Sequence, residues 1–309
     1  MKPLLAMAFV GAALGFSRPS ATALRPAPAQ EQRAKGASAS MGRQGRLEPG
    51  MSMRSQPRPE PKTVLMRSGQ WFVYPGGCEG VAKRRDVILH FHGAHTTVIP
   101  RFLKSNLDAV LVIINKGIGS GAYSNALGIR AQVDALLGRV EATIASQCGL
   151  RGAPISRLAL SSWSAGYGAV EQILRWRPER VDAVLLADGL HVGFVDPRTR
   201  QLDPGRLDVF RSFARSAGLG KKLMTITHSA IMPVEYAGTG ETARVLSEAA
   251  SAPTWPVAEA RYGMRQITAS RRGQFYAEGF AGTDKQAHAG HLYAIGNSSF
   301  ARLRSYWES

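Results

Sequence analysis

The chain has 309 residues, with 39 Lys or Arg against 22 Asp or Glu, for a formal net charge of +17. Two cysteines exclude a small disulfide-framework protein, and 44% hydrophobic residues are enough for a well-cored domain. The basic excess comes without helix periodicity or aromatic interleaving, so nucleic-acid recognition is not expected.

Lys2 is followed by an apolar run, Pro3 to Phe16, and by the small-residue stretch "SATA" ending at Ala23. This is the n-region, h-region and A-x-A pattern of a secretory signal, assigned to residues 1–23. The run falls short of the ~20 residues that span a bilayer, and no later stretch is long and apolar enough, so no transmembrane segment is expected after cleavage. A secreted or periplasmic protein follows. Residues 24–62 shift to Pro, Arg, Ala, Ser, Gln and Gly, with a charge of +5. Such a segment buries too little to offset its ordering entropy and reads as a disordered basic linker, a spacer suited to contact an acidic cell-envelope surface. With +2 on the leader (Lys2 and Arg18), residues 63–309 carry the remaining +10 and read as one catalytic domain.

Along that domain, "QWFVYP" (70–75) is an early strand, and "DVILHF" (86–91) and "AVLVII" (109–114) are apolar β-rich runs of a buried parallel sheet. Ile129 to Ser146 has helical spacing. Ile155 to Leu160 reads as a short strand ending just before Ser164, and Gly168 to Trp176 as a helix. "VDAVLLA" (181–187), "KLMTIT" (222–227) and "GQFYAEGF" (273–280) supply later strands, while "ETARVLSEAA" and the segment from His291 onward are helical. Alternating strands and helices predict an α/β fold, a mostly parallel sheet with helices on both faces. Cys78 and Cys148 both precede strands, at the edge of the sheet away from the strand carboxyl ends, and in an exported protein the pair predicts a disulfide; two free buried thiols are the alternative.

All seven histidines fall at or after strand carboxyl ends, where ligands bind in open α/β sheets. His90, His92 and His95 follow the 86–91 strand, His191 and His228 follow two later strands, and His288 and His291 follow the last. Ser164, between strand and helix in "SSWSAGYG", is placed as an exposed nucleophile requires.

In this order the features resemble the α/β-hydrolase superfamily, over essentially all of residues 63–309. "HFHGAH" resembles its oxyanion loop, "SSWSAGYG" its nucleophile elbow, and "ADGLH" and "DKQAHAGHL" the stretches that carry its acid and histidine. The elbow departs from G-x-S-x-G at Ser162. The resemblance implies an esterase- or lipase-type serine hydrolase acting on a small-molecule or lipid ester without a cofactor. Ser164 is then the nucleophile, Asp188 the acid, and His288 or His291 the base. Ala165 N–H and the N–H of Gly93 or Ala94 are the oxyanion donors. One strand later, "THSAIMPVE" offers only the distant Glu235 as an alternative acid. The base is expected in a loop, which favours His288, with "HLYAI" opening the final helix. Two other readings stay open: a catalytically silent binding domain, and a metal-dependent hydrolase using the H-x-H-x-x-H cluster His90, His92 and His95. "GIGSGA" (117–122) fits a dinucleotide fingerprint, but the acidic partner at the required distance, Asp134 or Glu141, lies inside a helix. It reads instead as a loop lining a substrate pocket with Tyr123.

Overall fold

The computed structural model describes residues 60–83, 85–150 and 154–309. The leader and all but the last three linker positions lie outside the described residues. Lys62, counted into the linker, instead opens the first strand.

The elements run β1 (Lys62–Leu65), β2 (Trp71–Tyr74), α1 (Gly77–Lys83), β3 (Val87–Phe91), α2 (His95–Lys104), β4 (Val110–Ile114), α3 (Ser120–Ala126) and α4 (Arg130–Gln147). There follow β5 (Leu158–Trp163), α5 (Tyr167–Trp176), β6 (Ala183–Ala187), a small hairpin β7 (Phe194–Asp196) and β8 (Gln201–Leu202), α6 (Pro204–Gly218) and β9 (Leu223–His228). The last are α7 (Thr239–Ala249), β10 (Thr254–Arg261), β11 (Met264–Arg272), β12 (Phe275–Phe280), α8 (Lys285–Ala294) and α9 (Ala301–Glu308).

One ten-stranded sheet holds them in the order β1-β2-β4-β3-β5-β6-β9-β12-β11-β10. The six strands from β4 to β12 are mutually parallel, and antiparallel pairs flank them on both sides. The strands β3, β4 and β6 are buried along their whole length, as their apolar runs, interrupted only by His90, require. Alternate side chains then feed two cores. Val87, Leu89 and Phe91 join one with residues of α3 to α7, including Val133, Val170, Phe210 and Leu246. Ile88, Leu111 and Leu185 join the other with Val98 and Phe102 of α2, Leu292 of α8 and Leu303 and Trp307 of α9. Helices therefore cover both faces, as expected.

Three expectations shift. The strand before Ser164 covers Leu158–Trp163 rather than 155–160, so it delivers the serine directly. The final helical stretch begins at Lys285, so "TDKQA" is a capped helix start, with Asp284 accepting from the Ala287 N–H at 2.8 Å. The β10–β11 hairpin extends the sheet beyond β12 and was not read as strand. Its outer strand is largely exposed on both faces and holds Pro256, which belongs on a sheet edge.

Cys78 in α1 and Cys148 at the end of α4 form the expected disulfide, with Cα atoms 5.1 Å apart. It lies where β3 and β5 begin, opposite the ends that carry His92 and Ser164.

Candidate active site

Strand β5 ends at Trp163, and Ser164 follows at φ +49°, opening a single 3₁₀ turn, Ser164–Gly166, that feeds α5. An L-residue held in this left-handed region costs about 1–3 kcal/mol, and such strain gathers at functional sites. Ser164, Asp188 and His92, each at a strand's carboxyl end, are three of the eight non-glycine residues at positive φ among the described residues. The turn also needs Gly166, because a Cβ there would sit 2.1 Å from the Phe91 carbonyl oxygen. Ser162, where the elbow pattern has glycine, is fully buried, and its hydroxyl has no partner among the described residues. The turn tolerates the extra atoms at the cost of one orphaned hydroxyl.

Asp188 directly follows β6, at φ +42°, with its carboxylate buried. Its Oδ1 accepts from the Ser229 N–H at 2.8 Å and the Thr239 hydroxyl at 2.5 Å, and its Oδ2 accepts from His288 Nδ1–H at 2.7 Å. Burial alone would raise the Asp188 pKa, but these three donors, His288 foremost, hold it well below the usual carboxylate range. Gly189 completes the approach: a Cβ there would lie 2.6 Å from the Ser164 carbonyl oxygen. The loop after β6 thus packs directly on the elbow, and the carboxylate and its histidine reach the serine's side of the sheet.

His288 sits on the first turn of α8, its side chain 22% exposed against 2% for Asp188. Trp163 fixes it from the elbow side. The indole N–H donates to the His288 carbonyl at 3.1 Å, and the rings stack with centroids 4.8 Å apart. His291, one turn on, is 1% exposed and bonded through Nδ1 to the Thr227 hydroxyl at 2.9 Å. Burial lowers its pKa to about 4, so it is neutral at pH 7. Of the two candidate bases, only His288 meets the Asp188 carboxylate.

The oxyanion-loop residues divide. Gly93 N–H donates to Asn115 Oδ1 at 3.0 Å, and Asn115 Nδ2 returns a bond to the Gly93 carbonyl at 3.0 Å. Of the two expected donors, Gly93 and Ala94, the Gly93 amide is spent on shaping the loop. Ala94 is exposed at the start of α2, and Ala165 lies in the turn after Ser164. Tyr123 lines a small pocket with Phe91, Ile114 and Lys116. It is 1% exposed, its hydroxyl accepting from Lys116 N–H at 3.3 Å and meeting His92 Nδ1 at 2.8 Å. Glu235 is exposed on the loop after β9.

The H-x-H-x-x-H residues do not converge. His90 is buried between Ser161 and the His92 carbonyl, which accepts from its Nε2–H, and burial lowers its pKa to about 3. His92 turns to Tyr123, and the His95 ring stacks on Trp71 with centroids 4.2 Å apart. Among the described residues no group of three or more His, Cys, Asp or Glu side chains is arranged to hold a metal. Asp134 and Glu141 pair with Arg177 and Arg180 on the α4 surface. Reading the sequence missed Trp163, Ser229 and Thr239. Only Trp163, adjacent to the serine, carried any signal.

Ser164 after β5, Asp188 after β6 and His288 after β12 follow one another in the chain order Ser, Asp, His on a mostly parallel sheet. The architecture is α/β-hydrolase-like. No family model and no curated protein matches the chain in sequence. Solved structures similar to it include the siderophore hydrolase EstA from Aspergillus nidulans, at 12% identity and a TM-score of 0.45 over 86% of this chain and 100% of that one. An IroE-like serine hydrolase from Shewanella oneidensis is 10% identical, with a TM-score of 0.46 over 80% of each chain. A cold-adapted esterase from an Arctic intertidal metagenomic library is 12% identical, with a TM-score of 0.43 over 79% of this chain and 92% of that one.

Proposed function

We propose that this α/β-hydrolase-like domain is an exported serine hydrolase that cleaves a carboxylic ester through an acyl-enzyme on Ser164. The observation that carries the reading is the Asp188–His288 hydrogen bond beside a serine held at positive φ. Asp188 holds the His288 proton on Nδ1, which leaves the Nε2 lone pair to take the proton of Ser164 Oγ. The oxygen then attacks the ester carbonyl carbon, and the charge that develops on the carbonyl oxygen is met by the N–H groups of Ala165 and Ala94. Collapse breaks the ester C–O bond, and His288 returns the proton to the departing alcohol. Water repeats the sequence on the acyl-serine and frees the acid. Export rests on the apolar leader and agrees with the Cys78–Cys148 bond, since disulfides persist in oxidising compartments. The basic linker is the segment that would meet an acidic envelope surface. No helix among the described residues is long and apolar enough to cross a membrane.

The test is labelling by a fluorophosphonate probe together with hydrolysis of p-nitrophenyl esters of graded chain length. Wild type is expected to label and turn over, and Ser164→Ala to lose both while melting like wild type. Activity retained within tenfold in that variant overturns the serine mechanism.

A further inference from the structure

His92 carries the inference, and it rests on the reading of Ser164 as a nucleophile. Its ring lies at the carboxyl end of β3, half-buried, with the backbone at φ +68°. It stacks on Trp163, the residue before Ser164, with centroids 5.2 Å apart and planes 13° from parallel. Trp163 stacks in turn on His288. One indole thus ties the imidazole of the oxyanion loop to the imidazole of the triad.

The tautomer of His92 follows from its neighbours. Lys116 N–H can only donate, so the Tyr123 oxygen accepts that bond. Tyr123 is buried, and His92 Nδ1, 2.8 Å away, is the remaining partner for the hydroxyl proton among the described residues. Leaving that proton unmatched would cost about 1–3 kcal/mol. Tyr123 therefore donates to Nδ1, and the imidazole proton sits on Nε2, on the opposite edge of the ring from Tyr123. Of the two backbone donors expected from this loop, Gly93 and Ala94, the Gly93 N–H is occupied by Asn115.

We propose that His92 Nε2–H is a side-chain donor of the oxyanion hole, held in that tautomer by Tyr123 and aimed by its stack on Trp163, in the place that the Gly93 amide vacates. The loop motif then works through an imidazole as well as a backbone amide, and the buried Tyr123 hydroxyl becomes a positioning group.

The experiment compares wild type, His92→Phe and His92→Gln on one activated ester, with each variant's melting temperature recorded. Phenylalanine keeps the stack and removes the donor, and is expected to lower kcat about 100-fold with KM within threefold. Glutamine restores an N–H and is expected to recover at least a tenth of the wild-type rate. A phenylalanine variant within threefold of wild type, or a glutamine variant no faster than it, overturns the proposal. ¹⁵N spectra of the wild-type imidazoles at pH 7.5, with His92 assigned by its loss in His92→Gln, supply a second measurement read on the wild-type protein. A protonated Nε2 is expected, and a protonated Nδ1 overturns the proposal. These outcomes arise with wild-type hydrolysis intact. A wild type that neither labels nor hydrolyses overturns the serine-hydrolase reading and this proposal together.

Discussion

Trp163 grips His288 twice, by an indole N–H bond to its carbonyl at 3.1 Å and by a ring stack at 4.8 Å. The bond anchors the first turn of α8 to the elbow, and the stack sets the plane of the imidazole. Asp188 fixes the far edge of the same ring. His288 is therefore held from the strand that precedes Ser164 and from the strand that precedes Asp188.

Trp163→Ala is expected to lower kcat by about 10- to 100-fold, because releasing the base by an ångström has that scale of effect. Trp163→Phe keeps a stacking face and loses the N–H, and its loss is expected to be smaller. Steady-state kinetics on one ester check this. Equal rates for wild type and the alanine variant would show that Asp188 alone orients His288.

The two adjacent histidines are expected to separate cleanly. His288→Ala removes the imidazole bonded to Asp188 and is expected to cost about a thousandfold or more in kcat. His291→Ala removes a buried ring bonded to Thr227 and packed on Phe280, so its main effect is on stability. Per folded molecule, its kcat is expected to stay within about tenfold of wild type. The opposite ranking would make His291 the base.

The strands β3, β4 and β6 were legible because parallel strands covered on both faces are largely apolar, with His90 the one polar residue among the three. Ser164 and Asp188 were legible because each directly follows a buried strand, β5 and β6. What remained hidden has physical causes. The start of α8 was read as loop because "TDKQA" is polar; only the Asp284 cap marks it, and a single Asp is a weak signal. The β10–β11 hairpin packs little into either core, so it shows no clean alternation of apolar and polar residues. Ser229 and Thr239 reach Asp188 from 41 and 51 residues away. The Gly93–Asn115 clasp spans 22 residues and is set by register between β3 and β4. No local pattern reports such contacts.

The disulfide gives a prediction about the scaffold rather than the chemistry. Cys78 and Cys148 are 70 residues apart, and closing a loop of that length destabilises the unfolded chain by about 4 kcal/mol in the chain-entropy account. The Cys78→Ser, Cys148→Ser double variant is expected to be less stable by about 2–4 kcal/mol. It should keep its kcat, since the bond lies at the opposite end of the strands from Ser164. Urea unfolding measures the first, and ester hydrolysis well below the transition measures the second. An unchanged midpoint would mean that the cross-link constrains nothing in the unfolded state.

Acidification is expected to unfold the domain through its buried histidines. His90 and His291 have folded pKa values lowered to about 3 and about 4, while the unfolded chain binds those protons near 6.5. A histidine lowered in the folded state leaves stability intact above pH 6.5 and removes it as pH falls toward the folded value, because protons then bind preferentially to the unfolded chain. Near pH 5.5 the unfolded state holds almost one extra proton at each site, so the pair makes stability fall by about 2–3 kcal/mol per pH unit. His92, His191 and His228 are lowered by burial as well and act in the same direction. Asp188, also lowered, keeps its contribution until pH drops below the ordinary carboxylate range, and so adds to the loss only in stronger acid. Urea midpoints at pH 7.5, 6.5, 5.5 and 4.5 should therefore hold steady at first and then fall steeply. His291→Phe should flatten the slope by about one proton below pH 6. A midpoint independent of pH between 7.5 and 5 would mean that these histidines bind protons as readily in the folded protein as in the unfolded chain, against the lowering that their burial produces.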